Sequence, residues 1–341
     1  MHNQDIKRVG FACKFMHADQ SLKPKILKEI QGQYSETSTT ITWLNRQLTE
    51  TAEDKLWHCL VTNAQNAYRL IEYVGALPEG QRMVRLGSNM MPAYTHPDWK
   101  YFYKRTDVRD TAQREWSRVG DLARKLDVRV SMHPGQFVVL ASVNENIVNR
   151  SIEEFEYHAD IIRWMGYGRN WQDFKCNVHI SGRQGPAGIK AVLPRLSTEA
   201  RNCITIENDE NRWGIADSLE LEKDLALVLD VHHHWCREAE YIKPTDDRVK
   251  RVIDSWRGVR PTMHYSVSRQ PYIIDHATDV LPDFNALIDQ GYKKAKLRAH
   301  SDTMWNTAVN KWAGGFRKDF DIMVEAKSKN LASIPFEEAT R

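Results

Sequence analysis

The sequence has no apolar run near the roughly 18 residues that a membrane-spanning helix needs. Its opening, Met1-His2-Asn3-Gln4-Asp5-Ile6-Lys7-Arg8, lacks the apolar stretch of a secretory signal. Charge of one sign is missing too. The 48 Lys+Arg against 45 Asp+Glu leave a formal +3, too little to require a polyanionic partner by itself. Cysteine is scarce: Cys13, Cys59, Cys176, Cys203 and Cys236 form no CxxC pair and leave one over, which fits reduced thiols in a cytoplasmic chain. There is no low-complexity tract and no Pro/Gly/Ser-rich linker, and 41% hydrophobic with 27% charged residues excludes disorder. The 341 residues admit two domains, or one α/β barrel, which routinely runs to about 250 residues or more. Two residue types are abundant instead, with 13 His and 11 Trp.

Short apolar, β-branched runs alternate with longer helical patterns, the signature of βαβ units and a parallel sheet. Strands are predicted at 8–15, 83–86, 128–132, 177–180, 203–207, 226–230, 262–265 and 322–325. Helices are predicted near 40–74, where Leu44, Leu48, Leu56, Leu60, Ala64, Ala67, Ile71 and Val74 recur near helical spacing, and near 112–126, 147–165, 189–196, 217–224, 246–256 and 282–290. This alternation predicts a single TIM-type (β/α)8 barrel over residues 1–341, with an irregular, Lys/Arg/Trp-rich insertion at 291–318 between the seventh and eighth strands.

Such barrels build their sites at the carboxyl ends of the strands. There the sequence places His133 after the third strand, His179 near the end of the fourth and Glu207 at the end of the fifth. Asp230 ends the sixth and is followed by His232-His233-His234; His264 lies in the seventh and Glu325 ends the eighth. His96 follows the second strand and His276 the seventh. One histidine near a strand end is more often a hydrogen-bonded structural residue than a ligand. A carboxylate ending an apolar strand is more telling, because burying it costs several kcal/mol unless it is paired or metal-bound. A whole set at matching strand ends predicts a centre of two or three divalent ions, suited to Zn, Mn or Fe. Ions roughly 4 Å apart, bridged by carboxylates, suit phosphodiester chemistry. Strand alternation does not choose among His232, His233 and His234. His58 and His158 fall in helical patterns as packing or surface residues, His17 is a weak outside candidate, and His2 and His300 have no supporting context.

Ser131-Met132-His133-Pro134-Gly135-Gln136-Phe137, Ile206-Glu207-Asn208-Asp209-Glu210, Leu229-Asp230-Val231-His232-His233 and Met323-Val324-Glu325-Ala326-Lys327 resemble the UV damage endonuclease family. The opening Arg8-Val9-Gly10-Phe11-Ala12-Cys13 resembles its first strand, and matching blocks run from about residue 8 to 330. The resemblance implies a barrel nuclease related to endonuclease IV that holds two or three divalent ions, Mn2+ foremost, with Zn2+ or Fe2+ as alternatives. It implies nicking of damaged double-stranded DNA immediately 5′ to cyclobutane dimers and 6-4 photoproducts, and also at abasic sites, by a cytoplasmic monomer with no membrane association. By motif it assigns metal binding to His96, His133, His179, Glu207, Asp230, His233, His264, His276 and Glu325, the Asp-x-x-His spacing selecting His233. Glu207, Asp230 and Glu325 are the catalytic carboxylates. Gln136 and Phe137 inherit the role of a probe entering the duplex, and Phe11, Asn208 and Lys327 are further DNA or lesion contacts.

The chain departs from the family pattern at four positions. Phe137 and Phe11 stand where the family has tyrosine, Phe15 where it has asparagine, and Thr262 where a lysine lies close to the metals. Stacking by Phe137 survives without a phenol. Other readings are an abasic-site endonuclease, a two-metal sugar isomerase, and a DNA-binding scaffold with degenerate sites. The Gln136-Phe137 pair and the basic insertion speak against the isomerase. The full set of ligand-type residues speaks against the scaffold.

Overall fold

The computed structural model describes residues 3–341. Eight parallel strands, β1 (Val9–Ala12), β2 (Met83–Arg85), β3 (Arg129–Met132), β4 (Lys175–His179), β5 (Ile204–Glu207), β6 (Ala226–Val228), β7 (Thr262–Tyr265) and β8 (Asp321–Val324), form one sheet in the order β6-β5-β4-β3-β2-β1-β8-β7. This is the predicted TIM-type barrel, with all eight strands within a few residues of their expected places. Because parallel strands are covered on both faces, they read as apolar runs rather than as alternation. Between β6 and β7 there is no ladder. That seam is closed by the bridge between Asp230 and His264 and by His264 N–H donating to Leu229 O at 3.0 Å.

The outer layer is helical. The expected helix near 40–74 divides into Ile41–Leu44 and the 27-residue Thr49–Gly75, which packs on Thr106–Lys125. The segment 291–318, expected to be irregular, contains Lys294–Leu297 and the amphipathic helix Thr307–Gly314. Helix formation there follows from Asn306, whose side chain accepts from Val309 N–H as an N-cap.

Inside the barrel, pleating sends alternate residues to the axis. Gly10 is required because a Cβ there would stand 2.5 Å from Met83 O. The floor is ionic: buried Asp321 pairs with Arg129 at 2.7 Å and Arg260 at 2.8 Å. Phe11 is the first correction. With Gly10 and Ala12 facing inward, Phe11 faces the helices and is buried in their core, so it cannot touch DNA. Phe15 likewise packs outside the barrel, its ring 4.5 Å from that of Tyr34 and 4.7 Å from that of Tyr73. All five cysteines are free thiols. Among the described residues no helix is long and apolar enough to cross a membrane. His2 lies outside the described residues.

Candidate metal centre

The carboxyl ends of β3 to β8 bring seven of the expected ligands together. Three groups offer ligand atoms within 4.8 Å of one another: His133, His179 and Glu207; Glu207, Asp230 and His233; and Asp230, His264 and Glu325. Glu207 joins the first two groups and Asp230 the last two, so the groups form a chain.

Local structure explains the spacing. Asp230 is the N-cap of the helix Val231–Glu238, and its Oδ1 accepts from His233 N–H at 2.7 Å. That cap turns the third helical residue back beside the carboxylate, which is why Asp-x-x-His joins two ligands and why His233, not His232 or His234, faces the centre. Asp230 Oδ2 is left without a hydrogen bond. Asn208 locks the loop after β5: its Nδ2 donates to Asp230 O at 3.0 Å and its Oδ1 accepts from Asp230 N–H at 2.9 Å. Fully buried and with both ends of its amide used, Asn208 is a scaffold residue rather than the expected DNA contact.

Glu207 is buried at the hub. Asn177 Nδ2 donates to its Oε2, while its Oε1 lies 3.1 Å from His264 Nδ1 and 3.5 Å from His233 Nδ1. His133 Nε2 stands 3.4 Å from Oε2, and His179 Nδ1 4.0 Å. Burial opposes ionisation of Glu207, but His264 and His179 outweigh it and hold the carboxyl well below the usual range. Glu325 follows the same logic through Arg85, which pairs with it directly. For Asp230 burial prevails over His233 and pushes the carboxyl up. Burial lowers His264 to about 4.

This arrangement fits divalent ions. Glu207 Oε1, Asp230 Oδ2 and His264 Nδ1 are buried, make no hydrogen bond, and face one another. Orphaned polar atoms are costly unless something else satisfies them. Carboxylate oxygens and imidazole nitrogens are the donors that Mn, Zn and Fe take.

Two expected ligands lie apart. His96 Nδ1 contacts Asp98, with 3.8 Å to the carboxylate. His276 bonds Ala277 O through Nδ1 and packs edge-on to Trp305. Among the described residues neither belongs to a group of ligand atoms.

Other residues were missed by sequence reasoning. His300 comes in where Ser268 bridges to it, which sets its Nδ1 3.7 Å from Glu325 Oε2 and its ring 6.2 Å from that of His233. No strand marks it in the sequence. Arg85 was not singled out, although its place as the polar end of β2 is a signal that could have found it. Lys175 opens β4, whose predicted start at 177 excluded it; its Nζ lies 2.7 Å from His264 Nε2. Thr262 therefore does not leave the barrel interior without a lysine. Above the centre, Gln136 and Phe137 stand on the loop after β3, Phe137 84% exposed, and Lys327 is exposed after β8.

The family model of UV-endonuclease UvdE matches residues 7–338. The chain belongs to the UvdE family. It is 24% identical over 306 residues to the UV DNA damage endonuclease of Bacillus cereus (strain B4264), covering 86% of this chain and 85% of that protein. With the UV DNA damage endonuclease of Bacillus velezensis (strain DSM 23117 / BGSC 10A6 / LMG 26770 / FZB42) it shares 26% over 297 residues, or 83% of this chain and 81% of the relative. The crystal structure of SacUVDE superposes with a TM-score of 0.67 at 21% identity, covering 97% of this UvdE chain and 96% of that chain. The barrel of this chain is thus the fold of that UvdE structure.

Proposed function

We propose that this UvdE-family chain is a metal-dependent DNA repair endonuclease that nicks double-stranded DNA immediately 5′ to UV photoproducts. The observation that carries the reading is the chain of ligand groups linked through Glu207 and Asp230, lying under an exposed Gln136-Phe137 tip. The reaction is hydrolysis: water adds at phosphorus and the bond to the 3′ oxygen breaks, leaving a 3′-hydroxyl and a 5′-phosphate. Divalent ions at such a centre, Mn2+ foremost, supply Lewis acidity toward the phosphodiester and its leaving oxygen.

The chain's own residues do the rest. His133, His179, Glu207, Asp230, His233, His264 and Glu325 hold the ions, and Arg85 keeps Glu325 ionised. A photoproduct weakens pairing and stacking, so extruding it costs less than extruding normal bases. Phe137, with Gln136 beside it, fills the gap by stacking, which needs no base sequence and no phenol. Lys327 and the basic residues near 293–298 contact phosphates, which set affinity and its salt dependence.

The test is incubation of the purified protein with Mn2+ and duplexes carrying a cyclobutane dimer, a 6-4 photoproduct, an abasic site or no lesion. Photoproduct strands are nicked 5′ to the lesion, while undamaged duplex stays intact. Cutting of none, or equal cutting of undamaged duplex, overturns the proposal. Cutting of the abasic duplex alone selects the abasic-site endonuclease instead.

A further inference from the structure

The segment 299–302 is laced into the mouth of the barrel from both sides. Arg269 N–H donates to Ala299 O at 3.1 Å and Ser301 N–H to Val267 O at 2.9 Å, which ties it to the loop after β7. Lys327 N–H donates to Ser301 O and Ser328 N–H to Asp302 O, both at 2.9 Å, which ties it to the loop after β8. This shelf borders the metal centre, since it carries His300 with its Nδ1 3.7 Å from Glu325 Oε2. Three cations gather along it around the ring of Tyr272. Lys296 Nζ stands 4.5 Å from the ring centroid, and the guanidinium carbon of Arg269 5.2 Å. Lys327 joins them through Asp302, whose carboxylate lies 3.0 Å from Arg269 Nη2 and 3.9 Å from Lys327 Nζ. Lys296 foremost, then Arg269 and Lys327, draw the Tyr272 phenol below its ordinary value. Against these three cations the ion pairs among the described residues set one carboxylate, the half-exposed Asp302. Exposed pairs of that kind are weak, and the face of Tyr272 attracts a cation without cancelling its charge. A fixed backbone thus presents surplus positive charge on the open side of the barrel, with Lys296 and Lys327 exposed.

We propose that Arg269, Lys296 and Lys327, grouped around Tyr272, seat DNA backbone phosphates next to the one at the metal centre, and that Asp302 occupies their place until DNA arrives. The inference rests on the nuclease reading above and adds Arg269, Tyr272 and Asp302 to its contacts. Phosphates carry no base information, so the seat supplies affinity alike to damaged and undamaged duplex. That separates its task from the stacking of Phe137. Asp302 is an internal competitor: its pair with Arg269 opens as a phosphate takes over the guanidinium, which suits bidentate binding of either group.

The experiment measures affinity of the full-length protein for lesion and undamaged duplex over a series of salt concentrations, with a chelator present so that no divalent ion contributes. Wild type is compared with Arg269→Gln, Lys296→Gln, Asp302→Asn and, as a control, Lys250→Gln, which alters a lysine paired with Asp254 on the helix Asp247–Ser255. Arg269→Gln and Lys296→Gln each weaken both duplexes by similar factors and flatten the slope of log affinity against log salt by about 0.9. Asp302→Asn tightens both duplexes several-fold, and Lys250→Gln keeps the wild-type slope. A wild-type slope in either Arg269→Gln or Lys296→Gln overturns this inference while leaving the nuclease reading standing, and so does a loss confined to the lesion duplex. An equal flattening by Lys250→Gln overturns it too, because the effect would then follow the net charge of the chain. Unchanged or weaker binding by Asp302→Asn overturns the competing role of that carboxylate. A wild type that binds neither duplex overturns the nuclease reading and this inference together.

Discussion

The Nζ of Lys175 lies 2.7 Å from Nε2 of His264, and both side chains are buried. Burial, helped by Arg85, lowers the lysine to about 7, so it is held at a cost in the metal-free barrel. Its contact leaves Nδ1 as the atom that His264 turns to Glu207 and Glu325, at 3.1 Å and 3.3 Å. An ion on Nδ1 needs its lone pair, so with ions bound Lys175 is the neutral amine that accepts from Nε2–H. Replacing it by Met removes the group that orients the imidazole, and in the metal-free protein it removes a buried charge. Mn2+ affinity should fall by about 10–100-fold, the range for partners of a ligand. The melting temperature of the metal-free protein should not fall, because apolar replacement of a buried charge is often neutral or stabilising. Calorimetric titration and thermal melts read the two effects separately.

His300 and His276 are separated by the same measurement. His300 stands beside Glu325 and His233, whereas His276 packs against Trp305. His300→Ala is expected to lower Mn2+ content after dialysis, and His276→Ala to leave it at the wild-type level.

For Phe137→Ala, nicking of photoproduct duplex should weaken while Mn2+ binding stays as in wild type. An aromatic stacked on a base contributes about 1–3 kcal/mol, so affinity for the lesion duplex should drop roughly fivefold or more. Filter binding with and without the lesion checks this, since the loss should be confined to the damaged duplex.

One source of pH-dependent stability lies away from the metal centre. His158 is buried, with Nδ1 2.7 Å from Glu154 O and Nε2 2.9 Å from Ser88 Oγ, and burial lowers it from 6.5 to about 4. Between those values the unfolded chain binds the proton that the folded one refuses, so stability is lost as pH falls from about 6.5 toward 4. The loss reaches roughly 3 kcal/mol by pH 4. His158→Gln removes the titration, and its melting temperature should fall less steeply over that interval.

Much of this was legible because parallel strands write themselves as apolar runs and because their carboxyl ends are fixed by the fold. Glu207, Asp230 and Glu325 stood out as charges closing such runs. Lys175 did not, since a charged residue opening a strand reads as the loop before it, and only the barrel interior shows where its long side chain ends. Phe11 failed for a different reason. Both faces of β1 are buried, so hydrophobicity gives no hint of which residue faces the axis. His300 owes its place to a bridge between Ser268 and the β7–β8 segment, a contact between distant residues with no local pattern.

The seam between β6 and β7 bears on how variants of this protein are to be interpreted. The hoop of strands is fastened there by the bridge between Asp230 and His264, two residues of one ligand group. Those contacts are made by main-chain atoms, so substitution of either side chain leaves the seam fastened; at Asp230 it removes the N-cap of Val231–Glu238 together with a ligand, and lost activity there confounds two injuries. Glu207 sits within the ladder that pairs β5 with its neighbours on both sides, so its side chain can be altered with the wall still laced.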